Sequence, residues 1–242
     1  MWGISRERTA MRYWLLGIVL GLTVSLGIGA GQASADTIIF SDNFDGAQGG
    51  VGWTTWKFHP SYPDDWEMGA PSFAVQAGLP TGAYSSPNVY ATDLNGPYEN
   101  STSLTPIKVL ELYTPAIDLT GYPDATLTFV DFMQTESGHL QIPGLDYCSL
   151  EVTDTSGTHL GWLAQTLEDF NINGWVTNNS YSLNSYLNQT IKIGFSLYAD
   201  IMGPELGWYI DDVQVTTTQV PEPMTLLLVG GGVVMLWRRR RG

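Results

Sequence analysis

The chain has 242 residues, with 24 acidic against 10 basic side chains and a formal charge of −14 at pH 7. That balance argues against nucleic acid as a partner and favours hard divalent cations, which take carboxylate and carbonyl oxygens as ligands. Cys148 is the single cysteine, so no intrachain disulfide can form, and its apolar setting predicts a small buried side chain.

Residues 1–35 read as a signal peptide. Arg6, Arg8 and Arg12 give a positive start, residues 13–28 are mostly apolar, and Ala33-Ser34-Ala35 is an A-x-A cleavage pattern. The mature chain is predicted to begin at Asp36. Of the basic residues, three lie in this segment and four in the tail, so residues 36–218 hold only Lys57, Lys108 and Lys192. Against 22 acidic residues, that region carries −19. Its length suffices for one sizeable core without a covalent staple.

The same region reads as all-β. Residues 37–40 (TIIF) form a short β-branched run. Residues 46–105 are irregular, rich in Gly, Pro, Ser, Asn and aromatic residues, and are predicted as long loops with one or two strands. Leu127 and Phe129 share one face of the next strand, and Cys148, Leu150 and Val152 share one face of another. Ile191, Ile193, Phe195 and Leu197 alternate most cleanly. Turn clusters such as Asp154-Thr155-Ser156-Gly157 separate these runs, which predicts an antiparallel β-sandwich.

The last strand, residues 207–215 (GWYIDDVQV), places adjacent carboxylates, Asp211 and Asp212, in a run that should be buried. If Trp208 and Ile210 face the core, alternation sends Asp212 inward; if Val213 and Val215 do, it sends Asp211 inward. Both apolar pairs want burial, so a bulge or a change of sheet is expected near the aspartates. Neighbours in an extended strand point to opposite faces, so these two cannot act together as a catalytic pair. His59, His139 and His159 show no metal-protease spacing, and there is no G-x-S-x-G elbow. Asn100, Asn178 and Asn188 stand in N-x-S/T patterns and read as turn or surface residues.

The C-terminal tail has its own order: Val220-Pro221-Glu222-Pro223, an apolar run over 224–237, then Arg238 to Arg241. Fourteen helical residues rise about 21 Å, short of the ~20 residues usual for a bilayer crossing. The tail resembles the PEP-CTERM sorting signal of exopolysaccharide-producing Gram-negative bacteria. That resemblance implies export, transient anchoring in the inner membrane by the short helix of segment 219–242, and processing by an exosortase. The destination would be the cell surface or extracellular matrix. Val220, Pro221, Glu222 and Pro223 would be the sorting motif, a substrate and not a catalyst.

The domain's landmarks also form a recognisable series. They are Asn43-Phe44-Asp45-Gly46, Gly52-Trp53, the Leu112 to Leu119 stretch, Asp146 ahead of Ser149-Leu150-Glu151-Val152, Trp175, and the closing Gly207 motif. Together they resemble the choice-of-anchor J family, related to MAM-like jelly rolls. The chain departs from the pattern at Asp45, where relatives often carry Glu, and at the single Gly157 of a turn. The resemblance implies a jelly-roll sandwich with a structural calcium ion where the first and last strands meet. Asp211 or Asp212 would be a ligand with Asp42 or Asp45, and Asp93 is a third candidate from a loop. It also raises saccharide binding through Trp53, Trp56, Trp66, Tyr84, Tyr90 and Tyr98, whose competing fate is to fill the core.

The expected function is therefore an exported, non-enzymatic β-sandwich with a structural or adhesive role at the surface or in exopolysaccharide. The alternative is a carbohydrate-binding module for matrix polysaccharide, and the third reading is a polysaccharide hydrolase.

Overall fold

The computed structural model describes residues 36–58, 66–72, 82–101, 107–137, 145–167 and 174–218. The predicted signal segment, the sorting motif Val220 to Pro223, the predicted short tail helix, His59 and His139 lie outside them. No helix among the described residues is long and apolar enough to cross a membrane.

The described chain is a two-sheet antiparallel sandwich. Its strands are β1 (Thr37–Asp42), β2 (Thr54–Lys57), β3 (Glu67–Gly69), β4 (Val89–Ala91), β5 (Lys108–Tyr113), β6 (Ile117–Asp118), β7 (Thr126–Gln134), β8 (Tyr147–Asp154), β9 (His159–Leu167), β10 (Val176–Ser182), β11 (Thr190–Ala199) and β12 (Gly207–Thr217). The first sheet runs β10-β7-β12-β4-β3, with β1 also on β12. The second runs β2-β5-β11-β8-β9, with β6 also on β11. The described part of the irregular stretch 46–105 thus holds three short strands where one or two were expected, each paired at or near a sheet edge.

Alternation explains the second sheet. Ile191, Ile193, Phe195 and Leu197 of β11, Cys148, Leu150 and Val152 of β8, and Leu110 and Leu112 of β5 are all fully buried on its inner side. The first sheet answers with Leu127 and Phe129 of β7 and with Trp208, Ile210, Val213 and Val215 of β12. Phe195 is at the centre, with ring centroids 5.3 Å from Phe129 and 5.4 Å from Trp208. Each such side chain contributes about 1.5–3 kcal/mol by leaving water.

Strand β12 contains the expected bulge. Its pairing with β7 slips between Asp211, opposite Val130, and Gln214, opposite Thr128. Asp212 is the extra residue, with φ +47° in the left-handed region. The slip lets Trp208 and Ile210 on one side of it, and Val213 and Val215 on the other, reach the same core.

The two outer faces differ. That of the first sheet carries a second buried cluster, Val89, Ala91, Phe132, Leu206 and Tyr209, with Leu94 and Trp175 packed against it. On the second sheet the outer side chains include half-buried and exposed aromatics, described next.

Candidate functional site

Three places merit a functional reading. At the first, β1 meets β12, with Asp42 opposite Val213. Asp42 Oδ1 accepts from Phe44 N at 2.8 Å, and Oδ2 accepts from Gly50 N and Trp53 Nε1, each at 2.9 Å. Phe44 and Gly50 have φ of +61° and +70°, so the chain curls round this carboxylate. Asp45 Oδ1 accepts from Asn88 N at 3.0 Å. Asp42, Asp45 and Asp212 line one polar cleft of about 470 Å³ with Asn43, Thr128 and Gln214.

The other two aspartates go elsewhere. Asp211 is fully buried on the outer side of β12, and its carboxylate accepts from Ser85 N at 2.8 Å and Ser85 Oγ at 2.9 Å. Burial pushes its pKa up to about 6, against the pull of those hydrogen bonds. Asp93 Oδ1 accepts from Asn95 N at 2.7 Å and Gly96 N at 3.1 Å, closing its own turn away from the cleft.

The tryptophans divide. Trp53 and Trp66 are buried, at 8% and 4% exposure, and so cannot offer a face to a sugar. Trp53 packs edge-on against Phe44 at 5.2 Å, and Trp66 lies 5.9 Å from Trp208. Both rings belong to the core of the sandwich. Tyr98 is fully buried and Tyr90 packs against the core, while Tyr84 is exposed beside Trp175. Of the three tryptophans only Trp56, 47% exposed, presents its ring.

Trp56 belongs to the second place, the outer face of the second sheet. Cross-strand partners share a face, so pairing assembles it. Trp56 of β2 is opposite Glu111 of β5, and Trp162 of β9 is opposite Glu151 of β8. Between them, Gly194 of β11 sits between Tyr113 and Glu151. A Cβ at Gly194 would fall 2.7 Å from Tyr113 Cε1 and 2.9 Å from Glu151 Cγ, so glycine lets these side chains lie flat across the strand. Trp162 is 40% exposed. At about 4.8 Å per strand, the two tryptophans stand on edge strands some 19 Å apart.

The centre of the face is a polar network. Tyr113 Oη lies 2.7 Å from Glu111 Oε2 and 2.8 Å from Glu151 Oε1, and Glu151 Oε2 is 2.6 Å from His159 Nδ1. One hydroxyl has one proton, so it can donate to only one carboxylate; the other contact needs a proton from the acid itself. Burial raises the Glu111 pKa, the Tyr113 hydrogen bond lowers it, and the Glu151 charge raises it again. At one end the face deepens into an apolar groove of about 490 Å³. Tyr147 and Tyr198 stack there at 4.8 Å beside Phe58, Ile107 and Val109, with Asp200 at the margin.

The third place was not anticipated from sequence. Glu136, just past β7, Asp146, just before β8, and Asp200, just past β11, bring carboxylate oxygens within 4.8 Å of one another. No other three such ligand groups converge among the described residues. Any two of them, both ionised, repel by on the order of 3 kcal/mol at an effective dielectric near 20. Burial, opposed by hydrogen bonds from Tyr98 and the Asp200 backbone, pushes Asp146 up to about 6, and the Asp200 and Glu136 charges add to the rise. Burial and the Asp200 charge also raise Glu136. The three are far apart in sequence and follow no spacing motif. The available signal was an acid beside the end of each of three buried strands.

No protein-family model matches the chain. Bacillopeptidase F of Bacillus subtilis (strain 168) is 30% identical over 150 residues, 62% of this chain but 9% of that protein. This chain therefore spans less than a tenth of that relative's length. In structure the sandwich is similar to adhesin domains and carbohydrate-binding modules. The K3 cleaved adhesin domain of Lys-gingipain from Porphyromonas gingivalis W83 aligns at TM-score 0.42 and 16% identity, over 75% of this chain and 99% of that one. The CBM22-1 xylan-binding domain of Paenibacillus barcinonensis Xyn10C aligns at TM-score 0.38 and 12% identity, over 78% and 99%.

Proposed function

We infer that this protein is an exported, non-catalytic adhesive module that holds a neutral polysaccharide on the outer face of its second sheet. One observation carries the reading. The first sheet has its outer face sealed by a buried apolar cluster, whereas the second presents Trp56 and Trp162 at opposite edges of a hydrogen-bonding centre. Aromatic faces suit the apolar faces of sugar rings, and the half-buried Glu111 suits their hydroxyls, while the buried Glu151 holds Tyr113 and His159 in place. The charge of −19 on residues 36–218 disfavours acidic sugars.

The same centre argues against glycoside hydrolysis. Two catalytic carboxyls must flank the scissile bond with substrate between them. Here the Tyr113 hydroxyl occupies the space between Glu111 and Glu151, within hydrogen-bond distance of both. The Bacillopeptidase F match is too small a part of that protein to bring its activity to this chain.

Export and sorting rest on Ala33-Ser34-Ala35 and on Val220 to Pro223 with its apolar run and arginines. An exosortase is the processing partner and matrix polysaccharide the resident one. Calcium at the β1–β12 cleft belongs to the reading as a structural ion; Asp42, Asp45 and Asp212 line that space without bringing three carboxylate oxygens within 4.8 Å of one another, so carbonyl oxygens or water would complete the ligand set.

Isothermal titration of the purified chain with a panel of neutral and acidic polysaccharides tests the proposal. Saturable binding to a neutral member, weakened tenfold or more by Trp162→Ala, is expected. Turnover of any polysaccharide, abolished by Glu111→Gln or Glu151→Gln, would replace the module with an enzyme.

A further inference from the structure

We propose that Glu136, Asp146 and Asp200 form a binding site for a divalent cation, with calcium the best fit. It shares no residue with the β1–β12 cleft and holds whether or not the face binds sugar.

Geometry comes first. Calcium takes six to eight oxygens at about 2.3–2.6 Å, so two ligands on opposite sides of it stand roughly 4.8 Å apart. The three carboxylates already meet that limit. They approach from three strand ends, after β7, before β8 and after β11, so one ion would tie both sheets together at this end.

The second observation is unspent hydrogen-bonding capacity. Glu136 is 6% exposed, and its Oε2 is buried with no hydrogen-bond partner among the described residues. Its carboxylate is one of the converging three, so this orphan oxygen belongs to a group that points into the cluster. The hydroxyls of Ser101 and Ser137 and the Asn100 Oδ1 are buried without a partner too. Ser137 adjoins Glu136, and Ser101 N donates to the Asp200 carbonyl at 2.7 Å. A buried charge left unpaired is costly, and the unpartnered Glu136 oxygen within a cluster of three carboxylates is what a hard cation would satisfy.

The surroundings are built to hold the acids in place. Tyr98 Oη donates to Asp146 Oδ2 and Asp200 N donates to Asp146 Oδ1, both at 2.6 Å. Met202 N donates to Asp200 Oδ1 at 2.7 Å. Gly203, at φ +66°, closes the segment over Glu136; a Cβ there would fall 2.3 Å from the Glu136 carboxyl carbon. These partners orient the carboxylates and leave lone pairs for an ion.

The test uses the full-length protein, freed of metal by chelation, with calcium titrated by calorimetry and terbium by Tyr- and Trp-sensitised luminescence. Glu136→Gln and Asp200→Asn should each weaken cation binding tenfold or more, while Asp212→Asn leaves this site's affinity unchanged. In metal-free buffer Glu136→Gln should raise the melting temperature, because it removes one of three crowded charges while keeping the side chain's size. Should Asp200→Asn fail to fold, Glu136→Gln carries the test alone. No cation binding by the wild type, wild-type affinity in Glu136→Gln, or loss confined to Asp212→Asn would overturn the proposal.

Discussion

Asp42 shows how much one side chain can organise. Its carboxylate satisfies two backbone amides and an indole nitrogen in a segment whose φ values turn positive at Phe44 and Gly50. Asp42→Ala orphans all three donors, and a loss of about 2–4 kcal/mol in urea denaturation is expected; a change under about 0.5 kcal/mol would contradict this. Glu111 gives a pH signature. Its folded pKa is raised above 4.5 by burial, so the neutral acid is the form the fold prefers. That contribution is complete below pH 4.5 and is lost as pH rises through the raised value. Relative to Glu111→Gln, which keeps a donor toward Tyr113, the wild type should lose stability as pH climbs from 4.5. Parallel stability–pH curves for the two proteins would refute a raised Glu111 pKa.

Among the elements, β12 is the most instructive. Trp208, Ile210, Val213 and Val215 are all fully buried only because Asp212 is an extra residue at φ +47°. Deleting residue 212 would send Val213 and Val215 to the outer face, and no cooperative unfolding transition is expected for that variant. Asp212→Gly should fold within about 1 kcal/mol of wild type, whereas Asp212→Val, forcing a β-branched side chain into the left-handed region, should lose about 1–3 kcal/mol. Equal stability of the Gly and Val variants would remove the bulge from this account. A break in alternation was readable from sequence, since two apolar pairs of opposite parity demanded a bulge or a change of sheet, and β12 takes the bulge. So was β11, where four alternating residues left no second choice of face. The fates of Trp53 and Trp66 were not readable: an indole in an irregular segment carries the same apolar area whether it covers the core or meets a ligand. Nor was the acidic trio, because Glu136, Asp146 and Asp200 meet only through the pairing of β11 with β8 and the stacking of the two sheets. Trp162 and Glu151 were visible as residues, but their juxtaposition needed the β8–β9 register.

For the whole molecule, function follows from asymmetry between two sheets built by the same alternation. One outer face is closed by Tyr209, Phe132 and their neighbours. The other keeps Trp56, Tyr113, Tyr198, Tyr147 and Trp162 within reach of solvent around a Glu-Tyr-Glu-His network. Asp200 joins this face to the acidic trio, since it borders the tyrosine groove and offers a ligand oxygen to the cluster. A cation held there would steady the end of the groove, so chelation should weaken polysaccharide binding by the wild type more than by Glu136→Gln. The most direct test of the account is the affinity of the purified protein for a neutral polysaccharide, compared with a Trp56→Ala/Trp162→Ala double variant of unchanged melting temperature. The account predicts saturable binding by the wild type and at least a hundredfold loss in the variant. Equal affinity in both proteins would contradict it.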